Sequence, residues 1–572
     1  MHDIVIRGGT IIDGTGRSAF TGDVAIAGDR IVGVGDKAGP ARRDIDASGL
    51  LVTPGWVDVH THYDGQAMWD PLLAPSSWHG VSTVIFGNCG VGFAPVRPEH
   101  RDGLIELMEG VEEIPGAVLA DGLEWNWESF SEFLDVLDRK PRAIDIGAQV
   151  AHHPLRVYTM GERAIRLEPA TGDDIAAMRR ITVEALRAGA FGFTTSRTDL
   201  HRTTRGDMVP ARYAAAEELV GIGSALGIVG AGVFGMNSDF DDEAAEFVWM
   251  TRLAKETGRP VWYLLTDRLD DPDRWRRLLA ATHAARRAGA QLTAQIAGRP
   301  IGVILGIGTA VNPFSLRPSY RQLDGLSVAD QLRRLRDPSF RRAILAETAS
   351  EEELRRLPTF RRAVTTRWDK LFALGDPPDY EPGPEASIAA IAERRRMTPD
   401  EVAYDYLTEA EHRFLLFPVI NYNTGDFAVI HEMLRDPATL LGLADGGAHC
   451  LSIVDSGVPS YMLLHWGRDR VRGPRLPLEL LVKRQTSETA DYFGLSDRGR
   501  IAPGLRADIN VIDFAGLRLG PPEIVADMPS GGRRLVQRVR GYEATLVAGV
   551  PVFERGAHTG ALPGRLVRAG RL

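Results

Sequence analysis

The chain has 572 residues, with 67 Lys and Arg against 76 Asp and Glu and a formal net charge of −9. That length exceeds what one compact core ordinarily serves, and a composition of 44% hydrophobic and 25% charged residues excludes a disordered chain. The basic residues are spread along the chain, which argues against nucleic acid as a partner, and the two cysteines, Cys89 and Cys450, cannot make a disulfide framework.

Residues 1–50 read as short strands. "DIVIRGGTIID" and "DVAIAGDRIVGVG" alternate apolar and polar residues between glycines. The first residues show no basic stretch followed by an apolar run and cleavage site, and no segment has 18 uninterrupted apolar residues. The expectation is a cytoplasmic enzyme with no membrane contact. Short strands return at "ADINVID" (507–513) and "EATLVAGVPVFERG" (543–556), so both ends are expected to build one small β-sandwich domain.

Between the ends, short apolar strands alternate with helices, the pattern of a parallel α/β domain. The strands are expected at 50–60, 82–88, 145–152, 191–196, 227–234, 260–266, 291–297 and 440–446, the count of a TIM (β/α)8 barrel. The clearest helix is 174–190, with Ile175, Met178, Ile181, Ala185 and Leu186 on helical spacing. A charged, Arg-rich stretch at about 315–410 reads as a helical insertion between strands seven and eight, its "ERRR" run a solvated face. The division expected is 1–53 and 491–572 for the β domain, and 54–490 for the barrel with its insertion.

His60 and His62 end the first barrel strand in "GWVDVHTHYDG". Residues two apart on a strand share a face, and barrel sites lie at the C-terminal ends of the strands. Two neutral imidazoles there suit a zinc-like ion. Cys89 follows the second strand in an open turn, "GNCG", and Asp445 ends the last in "GLADGG".

"VTPGWVDVHTH" resembles the first-strand signature of the amidohydrolase superfamily, metal-dependent hydrolases on a distorted TIM barrel, and "GLSDRGRIAPGLRADINVID" (494–513) resembles its return into the β domain. "STVIFGNCGVGFAP", "EALRAGAFGFTTSR", "LADGGAH" and "TGALPGRLVR" are similar to motifs of one branch, the D-aminoacylase (N-acyl-D-amino-acid deacylase) family. The resemblance implies Zn²⁺, one or two ions or another divalent metal, held by His60, His62, Cys89 and Asp445. Cys89 would replace the bridging carboxylated lysine found elsewhere in the superfamily, and strand four, "FGFTTS", has no lysine. Asp445 would also take the proton of the attacking water. The implied reaction is hydrolysis of a C–N amide bond in a small N-acyl substrate, nearest an N-acyl-D-amino acid. Hydrolysis of a cyclic amide or imide, a rarer reaction such as decarboxylation, or ligand binding without catalysis stay as alternatives.

The chain departs from the family where strands five and six end. "GAGVFGMNSD" and "WYLLTDR" lack the zinc-binding histidines expected there. His152 and His201 are candidate replacements, with Asp239, Asp267 and Gln295 behind them. His449 and Cys450 are placed to orient ligands. Arg156, Tyr158, Arg163, Ser196, Arg197 and His201 are candidates for holding substrate, since an arginine fork matches a carboxylate.

Overall fold

The computed structural model describes residues 1–570 except 349–351, 353 and 355–358. Strands from both ends meet in one nine-stranded sheet: His2–Ile11, Phe20–Ala27, Arg30–Gly35, Ala41–Asp46 and Leu51–Pro54 from the N-terminal part, and Ile509–Ile512, Tyr542–Val547, Val550–Glu554 and Ala557–His558 from the C-terminal part. Hydrogen bonding is continuous through it. The returning chain pairs with the departing one, Ile509 opposite Pro54 and Ile512 opposite Leu51, antiparallel. Alternation puts Ile4, Ile6, Val24, Ile26, Val52, Val511 and Leu546 on its buried side.

The expected strand 50–60 is two strands. Leu51–Pro54 belongs to the nine-stranded sheet and Trp56–Asp58 to the barrel. The chain crosses between them at Gly55, where a β-carbon would stand 2.4 Å from Ser82 Oγ. Only glycine lets the backbone pass that close. Trp56–Asp58, Val81–Phe86 and Asp145–Ala148 then run parallel. Val150–Ala151, Gly192–Arg197, Val233–Ser238, Val261–Leu264, Leu292–Ile296 and Thr439–Leu441 form a second parallel series. The third expected strand divides at Gln149, each half pairing with one neighbour. A parallel bridge between Thr61 and Gly446 joins the first strand to the last. Eight strand positions thus follow in the order the sequence implied, the two series meeting at Gln149 and at the Thr61–Gly446 bridge.

Strand five lies at Val233–Ser238 rather than 227–234. Residues 227–229 finish the helix Ala216–Val229, which Gly230 ends at φ +73°. "GIVGAGVF" is a continuous apolar run, and such a run does not distinguish a helix end from a buried strand. The helix expected at 174–190 forms at Gly172–Ala188, started by a reciprocal Thr171–Asp174 cap and ended by Gly189 at φ +117°.

The insertion is not wholly helical. Helices at Val328–Leu335 and Ile388–Arg395 accompany a three-stranded antiparallel sheet of Ile301–Gly306, Phe372–Leu374 and Phe414–Ile420, with its own core around Leu305, Ile344, Tyr404 and Leu415. Glu393, Arg394, Arg395 and Arg396 are exposed, as their charge suggests. A hairpin of Arg518–Ala526 and Arg533–Arg540, also unforeseen, reaches back toward the barrel mouth. Barrel and nine-stranded sheet are tied by buried charges. Arg498 and Arg506 both bond Asp145, at 2.7 and 3.1 Å, and Arg498 also holds Asp497. Removing one member would strand its partner in the interior, typically about 3–5 kcal/mol. Among the described residues no helix is long and apolar enough to cross a membrane.

Candidate metal centre

His60 and His62 leave the first barrel strand buried, with rings 5.5 Å apart edge to face. Gln295, on the seventh strand, brings Oε1 to 2.6 Å from His60 Nδ1. Nδ1–H therefore donates to that amide oxygen, and the Nε2 lone pair is left to point into the barrel mouth. There it meets Cys89 Sγ at 3.6 Å and Asp445 Oδ1 at 3.7 Å. The same Asp445 oxygen lies 3.4 Å from His62 Nε2. One ligand atom each from His60, His62 and Cys89 falls within a 4.8 Å span.

The backbone makes this convergence. Cys89 has φ +53° and follows Gly87 at φ +82°, so the chain turns back sharply after the second strand. A β-carbon at Gly87 would come within 2.3 Å of the Gln149 carbonyl. Asp445 also lies in the left-handed region, at φ +45°, which returns its carboxylate toward the first strand. Its backbone N–H donates to the His60 carbonyl and the His62 N–H to the Gly446 carbonyl, so first and last strands hold each other in register.

Burial and crowded carboxylates set the electrostatics of the cluster. Burial, with Glu112, Asp445 and Asp64 nearby, pushes the Cys89 thiol well above its ordinary range. Burial lowers His60 to about 4. Burial opposes charge on His62 too, but Glu112 and Asp445 outweigh it and its pKa is raised. Burial would raise Asp445, yet the close approach of the His62 ring and the charges of His60 and His62 hold it at about 2. Asp64 and Asp58 rise to about 7, chiefly through burial. Both ring nitrogens of the buried His62 lack a hydrogen-bond partner, as does Glu112 Oε1. Orphaned donors and buried carboxylates around two imidazoles and a thiol suit Zn²⁺, which takes N, S and O ligands together.

The other candidates fall into two groups. His201 stands beside the cluster. Its Nδ1 is 2.7 Å from Ser196 Oγ, and burial together with His62 and His449 lowers it to about 3. His449 also faces in, against Glu112 and Glu113. His152, by contrast, has both ring nitrogens engaged, by Thr195 Oγ1 at 2.8 Å and Glu218 Oε1 at 3.1 Å. Its neighbour His153 is the one packed near the Cys89 turn, receiving the Ala211 N–H on Nδ1 while its backbone N–H donates to the Gly90 carbonyl.

Arg156 is fully buried and spent on Glu218, the Pro210 carbonyl and the Glu168 carbonyl, at 2.7–2.8 Å. Arg197 is held by Glu246 and the Ala214 carbonyl. Arg163 pairs with Asp174 and Glu168, and Tyr158 donates to Glu128 beneath the Arg97 guanidinium. The structure does not bring these four to the metal cluster. Their polar atoms bind the protein itself, a use of arginine that sequence cannot separate from substrate binding. Asp239 answers Arg268 and Arg212, while Asp267 takes an amide hydrogen from Asn423. Cys450 is buried against Met528. Where strands five and six end stand Asn237, Ser238, Leu264 and Leu265, so no imidazole reaches the centre from either.

Glu112 and Asp64 were missed. Asp64 follows His62 by two residues and accepts from the Gly87 N–H at 3.3 Å. Glu112 ends the helix Arg101–Glu112 on the stripe of Leu104 and Met108, four residues apart, and that stripe is buried. A carboxylate falling on an apolar helical stripe was the available signal. A pocket opens beside Asp445, lined by Gln66, Ala448, Asp455, Arg534 and Leu535, the last two from the unforeseen hairpin.

The Amidohydrolase family model matches residues 43–553. D-aminoacylase of Alcaligenes xylosoxydans xylosoxydans is 26% identical over 99% of this chain and 97% of its own. N-acyl-D-glutamate deacylase of the same organism is 27% identical over 99% and 96%. Among solved structures, N-acyl-D-glutamate deacylase from Bordetella bronchiseptica, complexed with zinc and a phosphonate mimic of its tetrahedral intermediate, superposes with a TM-score of 0.64 at 23% identity, covering 99% of this chain and all of that one.

Proposed function

This chain belongs to the amidohydrolase family, and from that premise we propose that it is a zinc-dependent deacylase of N-acyl-D-amino acids or closely related N-acyl compounds. One observation carries the reading: His60, His62, Cys89 and Asp445 converge, buried, at the C-terminal mouth of a parallel barrel. Full-length likeness to D-aminoacylase and to N-acyl-D-glutamate deacylase supports the substrate class.

His60 Nε2, one ring nitrogen of His62, Cys89 Sγ and Asp445 would hold the ion. Zinc supplies Lewis acidity there, polarising an amide carbonyl and acidifying water. The remaining work falls to side chains. Asp445 is ionised throughout the neutral range and adjoins the open pocket, so it receives the water's proton and returns it to the leaving nitrogen. His201, steadied by Ser196 and close to His62 and Asp445, would contact the bound substrate. With no imidazole from strands five and six, a single tightly held ion is the expected occupancy.

The test is a coupled amine-release assay on paired D and L N-acyl amino acids, neutral and acidic, with zinc content measured on the same sample. Turnover of a D series that tracks zinc content is expected. A protein that holds no stoichiometric metal at neutral pH would overturn the reading.

A further inference from the structure

Behind the metal cluster lies a strap that the reaction does not use. The helix Arg101–Glu112 ends in two glutamates, and the loop after the last barrel strand carries His449 against them. His449 donates its backbone N–H to the Glu112 carbonyl. Its Nδ1 is 3.2 Å from Glu113 Oε2 and its Nε2 is 3.7 Å from Glu112 Oε2. Ser452 donates to the same Glu113 oxygen. Glu112 is thus fixed by a helix on one side and a loop on the other, with its side chain 2% exposed.

Its other oxygen, Oε1, points away from the strap. It lies 3.4 Å from His62 Nδ1, and neither atom has a hydrogen-bond partner. The opposite nitrogen of that ring, Nε2, faces Asp445. A His ligand must present a bare nitrogen to the metal, and a carboxylate on the far nitrogen fixes the proton there and sharpens the donor. His60 has this support from Gln295. Glu112 occupies the corresponding place beside His62 Nδ1, with a carboxylate rather than an amide and at 3.4 Å rather than 2.6 Å.

Resting on the zinc reading above, we infer that Glu112 is a positioning residue that holds the His62 proton on Nδ1 and turns Nε2 toward the ion. The Glu113–His449–Ser452 strap keeps the Glu112 carboxylate within reach.

Zinc affinity tests this without any substrate. The probe is Zn²⁺ alone, in chelator competition at pH 7.5, on wild type, Glu112→Gln and Glu113→Gln. Loss of such an outer partner typically weakens metal binding by roughly 10–100-fold. Glu112→Gln should fall in that range while the metal-free melting temperature moves little. Glu113→Gln, which loosens His449 but leaves Oε1 beside His62, should stay within about threefold of wild type. Should Glu112→Gln not fold, Glu112→Asp, which keeps the charge but shortens the reach, takes its place with the same expectation. Equal affinity in Glu112→Gln and wild type, or equal weakening by both variants, would overturn the inference. Wild type that binds no zinc would instead sink the metal reading on which it stands.

Discussion

Asp445→Asn isolates the proposed proton acceptor with little disturbance to the fold. Asp445 sits at φ +45°, a conformation that Asn tolerates better than other replacements do, so the backbone keeps its turn. The amide oxygen can still face His60 and His62, at 3.7 and 3.4 Å in the native side chain, but it cannot take a proton. The carboxylate is held at about 2 against an ordinary 3.8, which corresponds to roughly 2–3 kcal/mol of preference for the ionised form. It is therefore unprotonated, and able to accept a proton, at every pH where the enzyme would work. General base catalysis is worth roughly 10²–10⁴ in rate, or about 3–5 kcal/mol of barrier. The expected result is kcat lower by that factor, with KM changed little and zinc retained more weakly. Steady-state kinetics on the best N-acyl substrate, beside metal analysis and thermal melting, separate these effects. A folded, zinc-loaded Asp445→Asn within a few-fold of wild-type kcat would remove Asp445 from the chemistry.

Glu381 gives a prediction about stability. It joins the insertion to the barrel by accepting from His465 at 2.8 Å, from Arg470 at 3.0 and 3.1 Å, and from the Phe427 N–H. Burial pushes it up, but these partners bring it from 4.5 to about 2, worth about 3 kcal/mol at neutral pH. Because the folded value is the lower one, that stability is full above about 4.5 and fades as pH falls toward 2. Glu381→Gln should lower denaturant stability by about 3 kcal/mol at pH 7 and by much less at pH 3; an equal loss at both would contradict the assignment. Zinc uptake should release protons at neutral pH, since the Cys89 thiol and His62 are both raised without metal and must deprotonate to bind. Affinity should accordingly fall as pH drops, and calorimetry in buffers of different ionisation heat would expose the error if no protons were released.

The outline of the centre was legible because it is local. His60 and His62 are two residues apart on one strand, Cys89 lies in a glycine turn, and Asp445 ends an apolar strand. Residues that reach the centre from a distance were harder to see. Gln295 was named only as a remote alternative ligand, not as the partner of His60, and Glu112 carries no motif; the fold brings them to His60 and His62. Arg156 and Arg197 show the converse: beside site-like sequence they look like ligand anchors, yet carbonyls and glutamates supplied by distant segments occupy them. The same limit applied to the fold. Strand count and order followed from apolar runs and glycines, whereas the break at Gly55 and the shift of strand five depended on contacts with Ser82 and on where a helix ends.

X-ray absorption at the zinc edge tests the central claim most directly, on wild type and on a His60→Ala plus His62→Ala variant. The account predicts close to one zinc per chain in wild type, with one sulfur neighbour at ~2.3 Å and nitrogen or oxygen neighbours at ~2.0–2.2 Å. The double variant, folded, should lose most of its metal, and Cys89→Ser should lose the sulfur signal. A wild-type spectrum with nitrogen and oxygen neighbours alone, or zinc undiminished in the double variant, would contradict it.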